Sequence, residues 1–72
     1  MAEPSKRITR EVPWAECREV ISGFSFVRRD GADYIYRGGA VINGVNDEWW
    51  IRVSPLPGQR ARMIFVPSSC NC

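Results

Sequence analysis

The stretch Asp47 to Pro67, DEWWIRVSPLPGQRARMIFVP, constrains this chain most, because apolar and polar residues alternate along both of its halves. Trp49, Ile51 and Val53 fall on one side of an extended strand, and Ala61, Met63 and Phe65 on one side of another. Pro55, Pro57 and Gly58 cannot continue a ladder, so the segment folds back as a hairpin. Opposing Ser54 to Arg60 pairs Val53 with Ala61, Ile51 with Met63 and Trp49 with Phe65 on the inward face. Trp50 with Ile64, and Arg52 with Arg62, then form the outward face. A slip of one residue would expose all the inward side chains, so the choice of face is well specified.

Two further turn signals precede this hairpin. Asp30-Gly31 lies between Phe24 to Arg29 and Ala32 to Arg37, and Asn43-Gly44 joins Ala40 to Ile42 with Val45 to Asn46. Both dipeptides suit the positive φ of a two-residue turn. Upstream, Pro13 fits the first position of a helix, where its missing N–H costs nothing, and Gly23 stops it, so a helix is predicted over 13–22. Trp14, Cys17, Val20 and Ile21 give that helix an apolar stripe that needs a sheet to cover.

The turns conflict in one respect. Counting from Asn43-Gly44 puts Tyr34 and Tyr36 on the side of Ile51, whereas counting from Asp30-Gly31 puts Ile35 there with Phe24 and Phe26. One extra residue reconciles them, and Gly38-Gly39 is the expected bulge, since glycine tolerates the unusual φ. The expected fold is α+β: one N-terminal helix packed on a four-stranded antiparallel β-meander. It forms a single small domain, with a flexible arm at 1–10, the sheet over 24–66 and a tail at 67–72. The helix is expected to cover Phe24, Phe26, Ile35, Trp49, Ile51, Val53, Met63 and Phe65.

Seventy-two residues with 44% apolar and 25% charged content suit one marginally stable globular domain with no deep cavity. The net charge of +2, with cations and anions interspersed, does not by itself indicate nucleic-acid binding. No apolar run is long enough to span a bilayer and the N-terminus lacks a signal-peptide core, so no membrane partner and a cytoplasmic location are expected. Cys17, Cys70 and Cys72 are then expected to be reduced thiols, with a disulfide from Cys17 to the tail as the alternative in an oxidising environment. A structural zinc site wants a fourth ligand that is not evident, so no metal or cofactor is assigned. With no histidine, and with Asp30, Asp33, Asp47 and Glu48 in or beside turns, catalysis is not expected.

The uncovered sheet face would carry Tyr34, Tyr36, Trp50, Arg52, Arg62 and Ile64 as partner-binding residues. Aromatic residues with arginine bury much area at little rotameric cost and can stack or hydrogen-bond. The same set could stack bases and hold phosphate, or be covered by a second copy of the chain.

Gly23 to Arg37, GFSFVRRDGADYIYR, resembles the first hairpin of HicA-type mRNA-interferase toxins through Gly23, Phe24, Arg28, Gly31 and the following aromatic Tyr36. Ala32 and Asp33 stand where that family has a serine and its catalytic histidine, and the family's C-terminal helix has no counterpart. The resemblance therefore implies an RNA-facing surface and no nuclease activity. The leading expectation is a non-catalytic binding protein that modulates or inhibits a larger host protein or nucleoprotein complex, as phage or mobile-element accessory inhibitors of the anti-CRISPR kind do. An RNA-binding module and a structural homodimer are the alternatives.

Overall fold

The computed structural model describes residues 7–68. Its elements are β1 (Ile8–Pro13), α1 (Trp14–Ile21), β2 (Ser25–Asp30), β3 (Asp33–Ile42), β4 (Val45–Leu56) and β5 (Arg60–Pro67). The fold is α+β, with one helix and an antiparallel sheet in the order β1-β5-β4-β3-β2. Strands β2 to β5 form the expected meander, and a fifth strand joins it. Residues 8–10, expected in a flexible arm, belong to β1, which pairs with β5 from Ile8↔Phe65 to Pro13↔Arg60. Its signal was the alternation of Ile8 and Val12 with Thr9 and Glu11, faint because Arg10 occupies the inward position between them.

Every step across the sheet is antiparallel, so the two edge strands β1 and β2 run in the same direction. A crossover must connect them, and α1 supplies it. The helix is too short to hold itself together and depends on tertiary contacts. Pro13 is its N-cap, with extended φ and ψ and no side-chain cap, and the Trp14 N–H donates instead to the Gln59 carbonyl at 2.8 Å. At the other end the Phe24 N–H donates to the Ile21 carbonyl at 2.9 Å. Cys17 is the fully buried helical residue, with Trp14 and Ile21 packed around it. Among the described residues no helix is long and apolar enough to cross a membrane.

The core is Cys17, Trp49, Ile51, Val53, Ala61, Met63 and Phe65, the alternating set legible in the sequence. Each large side chain removed from water contributes roughly 1.5–3 kcal/mol before entropy is counted. The Trp49 indole N–H, which would be costly to bury alone, donates to the Ala40 carbonyl at 3.0 Å. Faces in the β4–β5 hairpin are as expected, but partners differ by two residues: Val53↔Met63, Ile51↔Phe65, Trp49↔Pro67. The strands continue to Leu56 and Arg60, so the turn tightens to Pro57-Gly58-Gln59, with φ of 77° at Gly58 and 58° at Gln59. A shift of two preserves sidedness, which is why the alternation alone could not detect it.

The bulge lies elsewhere than expected. Strands β3 and β4 pair without interruption through Gly38↔Trp49 and Gly39↔Glu48 to the Asn43-Gly44 turn. The irregularity sits in β2 at Val27, between the pairs Phe26↔Tyr36 and Arg28↔Ile35. Tyr34 and Tyr36 therefore share the helix side of the sheet with Val53 and Ile51, and Ile35 faces the opposite way, beside Arg52. Gly38 has a packing role instead: a Cβ there would lie 2.7 Å from Phe24 Cδ2 and 3.2 Å from Phe24 Cα. Glycine lets the Phe24 ring close onto the strand.

Candidate binding face

Cross-strand register lays ordered rows over the face opposite the helix. One row runs Arg28, Ile35, Arg52, Ile64 and Thr9 from β2 to β1. The next holds Ser25, Arg37, Trp50 and Val66. Apolar residues thus fall in the middle of the face and arginines along and between them. Ile35, Trp50, Ile64 and Val66 line an open groove of about 300 Å³ together with Arg7, Arg28 and Arg52. Ile35 is only 7% exposed although no helix covers it. Its two cross-strand neighbours are Arg28 and Arg52, side chains long enough to shield it with their aliphatic stems.

Arg37, Arg52 and Arg62 on this face are held by carboxylates. Arg52 Nη1 donates to Asp33 Oδ2 at 2.7 Å and Nη2 to Asp30 Oδ2 at 2.6 Å. Asp30 and Asp33 oppose each other at the neck of the β2–β3 hairpin, a like-charge pair that this one guanidinium bridges. The hydrogen bond from Arg52, and then its charge, lower the Asp30 carboxyl below its ordinary value, with a smaller contribution from Arg28. The same contacts raise Arg52 further. Arg62 Nη2 lies 3.1 Å from Glu11 Oε2, the side chain directly across the β1–β5 ladder. Arg37 Nε sits 3.0 Å from Glu48 Oε2, and the Arg37 guanidinium carbon is 4.9 Å from the Trp50 ring centroid. Arg52 faces Ile64 and Arg62 faces Ser54, so the expected Arg52–Arg62 opposition does not occur.

Four of the six residues expected on this surface are on it: Trp50, Arg52, Arg62 and Ile64. Tyr34 and Tyr36 are on the other side, half-buried and packed against the core. There Phe26 meets Tyr36 edge-on with centroids 5.5 Å apart, and Arg29 lies 5.1 Å over the Tyr34 ring. Burial, followed by the proximity of Cys17 and Tyr34, pushes the Tyr36 hydroxyl up. Phe26, expected beneath the helix, is 53% exposed at the sheet edge. Sequence reasoning missed Arg28, Ile35, Arg37 and Val66 as members of the outer face. Only the register, set by the bulge at Val27 and the tight β4–β5 turn, brings them beside Trp50 and Ile64.

Burial pushes the Cys17 thiol up. Cys70 and Cys72 lie outside the described residues, and among the described residues no cluster of His, Cys, Asp or Glu could hold a metal ion. No protein-family model matches the chain, and no curated protein or solved structure matches it significantly.

Proposed function

We propose that this is a non-catalytic binding protein whose outer sheet face docks on a protein partner and acts by occupying it. One observation carries the reading: an apolar groove of Ile35, Trp50, Ile64 and Val66 lies on a face where Arg37, Arg52 and Arg62 are each already paired with a carboxylate. Large apolar and aromatic side chains surrounded by satisfied polar groups are what a protein interface needs at its centre and rim. A small domain that presents such a face can modulate a larger protein by covering one of its surfaces, as an accessory inhibitor encoded by a phage or mobile element would.

Two features weigh against RNA as the ligand. A phosphate track needs guanidinium groups free to replace counterions, whereas Arg37, Arg52 and Arg62 each hold a carboxylate. A stacking platform needs several rings on one surface, and Tyr34 and Tyr36 face away from Trp50.

The test is affinity capture from nuclease-treated lysate with the wild type, Trp50→Ala with Ile64→Ala, and the helix-surface control Arg18→Ala. A protein partner should be retained by the wild type and the control, withstand moderate salt and be lost from the double variant. Capture that disappears with nuclease would favour RNA. A mass that falls on dilution in light scattering, with the double variant monomeric throughout, would favour self-association. Retention of every partner by the double variant would reject the face.

A further inference from the structure

We infer that the outer groove takes an extended acidic segment of its partner, an apolar side chain resting on Ile35, Ile64 and Val66 and a neighbouring carboxylate reaching Arg28. This rests on the binding face described above and specifies the chemistry of what binds there.

The charge distribution carries the inference. Among the described residues the groove lining includes Arg7, Arg28 and Arg52 and no acidic side chain. Arg52 is committed to Asp30 and Asp33 through both terminal nitrogens. Arg28 differs: among the described residues it makes no hydrogen bond or ion pair, and its nearest electrostatic relation is a weak one to Asp30. An exposed guanidinium at the margin of an apolar floor is matched by a carboxylate close to an apolar side chain, since each ligand group then meets its complement. Arg7 lines the same groove. It immediately precedes β1, so cationic side chains line the groove from both edges of the sheet.

Dimensions agree. Arg28 on β2 and Thr9 on β1 end one row, four strand spacings apart, which is about 19 Å at roughly 4.8 Å per spacing. An extended segment of about six residues covers that span. Alternate side chains of such a segment point to the sheet, so an apolar residue with an acidic residue two positions away presents both groups together.

The probe is a displayed library of random peptides about twelve residues long, twice the span, panned on the intact protein. Enriched sequences are then measured by fluorescence anisotropy. The enriched pool should carry Asp or Glu around Leu, Ile or an aromatic residue. Affinity should fall about three- to five-fold in Arg28→Ala, the range of a partly exposed charge pair, and weaken with salt, while Arg18→Ala leaves it unchanged. A pool without acidic bias, no enrichment, or affinities indifferent to Arg28→Ala would each overturn the inference. The broader reading stands separately. If Trp50→Ala with Ile64→Ala still abolishes lysate capture while the pool lacks acidic residues, the face remains and the acidic partner is rejected.

Discussion

Arg37 and Trp50 sit directly opposite each other across the β3–β4 ladder, and the guanidinium carbon of Arg37 is 4.9 Å from the centroid of the indole. Glu48, two residues before Trp50 on the same face, anchors the other side of that guanidinium. The indole thereby has a carboxylate-anchored guanidinium over its ring and stays half-buried on the open face. Replacing Arg37 with Ala should lower stability by about 0.5–1 kcal/mol, the range of an exposed cation–π contact, and shift the Trp50 indole N–H resonance. Urea denaturation and a two-dimensional NMR spectrum check both, and an unmoved indole signal would argue against the stacked arrangement.

The two adjacent glycines of β3 should respond differently to the same change. Gly38→Ala puts a methyl group against both the ring and the backbone of Phe24, so it should destabilise by about 1–3 kcal/mol. Gly39→Ala meets nothing within 4 Å and should stay within about 0.5 kcal/mol of the wild type. Denaturant midpoints of the two variants compare them directly. Equal midpoints would mean that Phe24 does not close onto Gly38.

Acid should weaken the β2–β3 neck through Asp30. Its carboxyl titrates below the ordinary value of 3.8 in the folded chain because Arg52 donates to the ionised form. The unfolded state therefore binds the proton more readily, and this group's stabilisation is present above the ordinary value and lost as pH falls through the lowered one. Thermal midpoints between about pH 2 and about pH 5 should rise with pH in the wild type. In Arg52→Ala, Asp30 and Asp33 oppose each other without their bridging cation, so the rise should flatten or reverse. An unchanged slope would remove Arg52 as the cause.

Cys17 should be chemically silent in the folded protein. It has no exposed surface, and burial raises its thiol pKa, so both access and thiolate fraction are low. In a Cys70→Ser, Cys72→Ser background, a disulfide reagent should modify Cys17 at least about a hundred-fold more slowly without denaturant than in urea, because reaction waits for opening. Rapid labelling under native conditions would show that the helix lifts readily from the sheet.

Val27 has no partner in the β2–β3 ladder, so deleting it leaves Phe26↔Tyr36 and Arg28↔Ile35 as consecutive members of a regular ladder. Deletion should preserve the fold, with stability within about 1 kcal/mol. It should also flatten an edge strand that the bulge keeps twisted, and raise the tendency to associate edge to edge. Light scattering over a dilution series, beside an NMR spectrum of the variant, tests both. Loss of the fold would show that the extra residue is needed for the path of β2.

The sequence by itself determined the class of fold, the helix, the meander and the inward set Trp49, Ile51, Val53, Ala61, Met63 and Phe65. It could do so because alternation, turn residues and a helix-stopping glycine are local signals, although the β2–β3 turn falls on Gly31-Ala32, one residue beyond the expected Asp30-Gly31. Asn43-Gly44 shows this most simply, with both residues at the positive φ its composition implies, 51° and 78°. Tertiary structure decided the register and the fifth strand. Only the pairing of Ile8 and Val12 with Phe65 and Ala61 makes a strand of a segment that carries an exposed arginine, Arg10, between them on the helix side. The one-residue slip fell at Val27 and not at Gly38-Gly39, where Gly38 lies beneath Phe24, a contact across separate elements that no local pattern records. That placement turned Tyr34 and Tyr36 toward the core and brought Ile35 and Arg37 beside Trp50 on the open face.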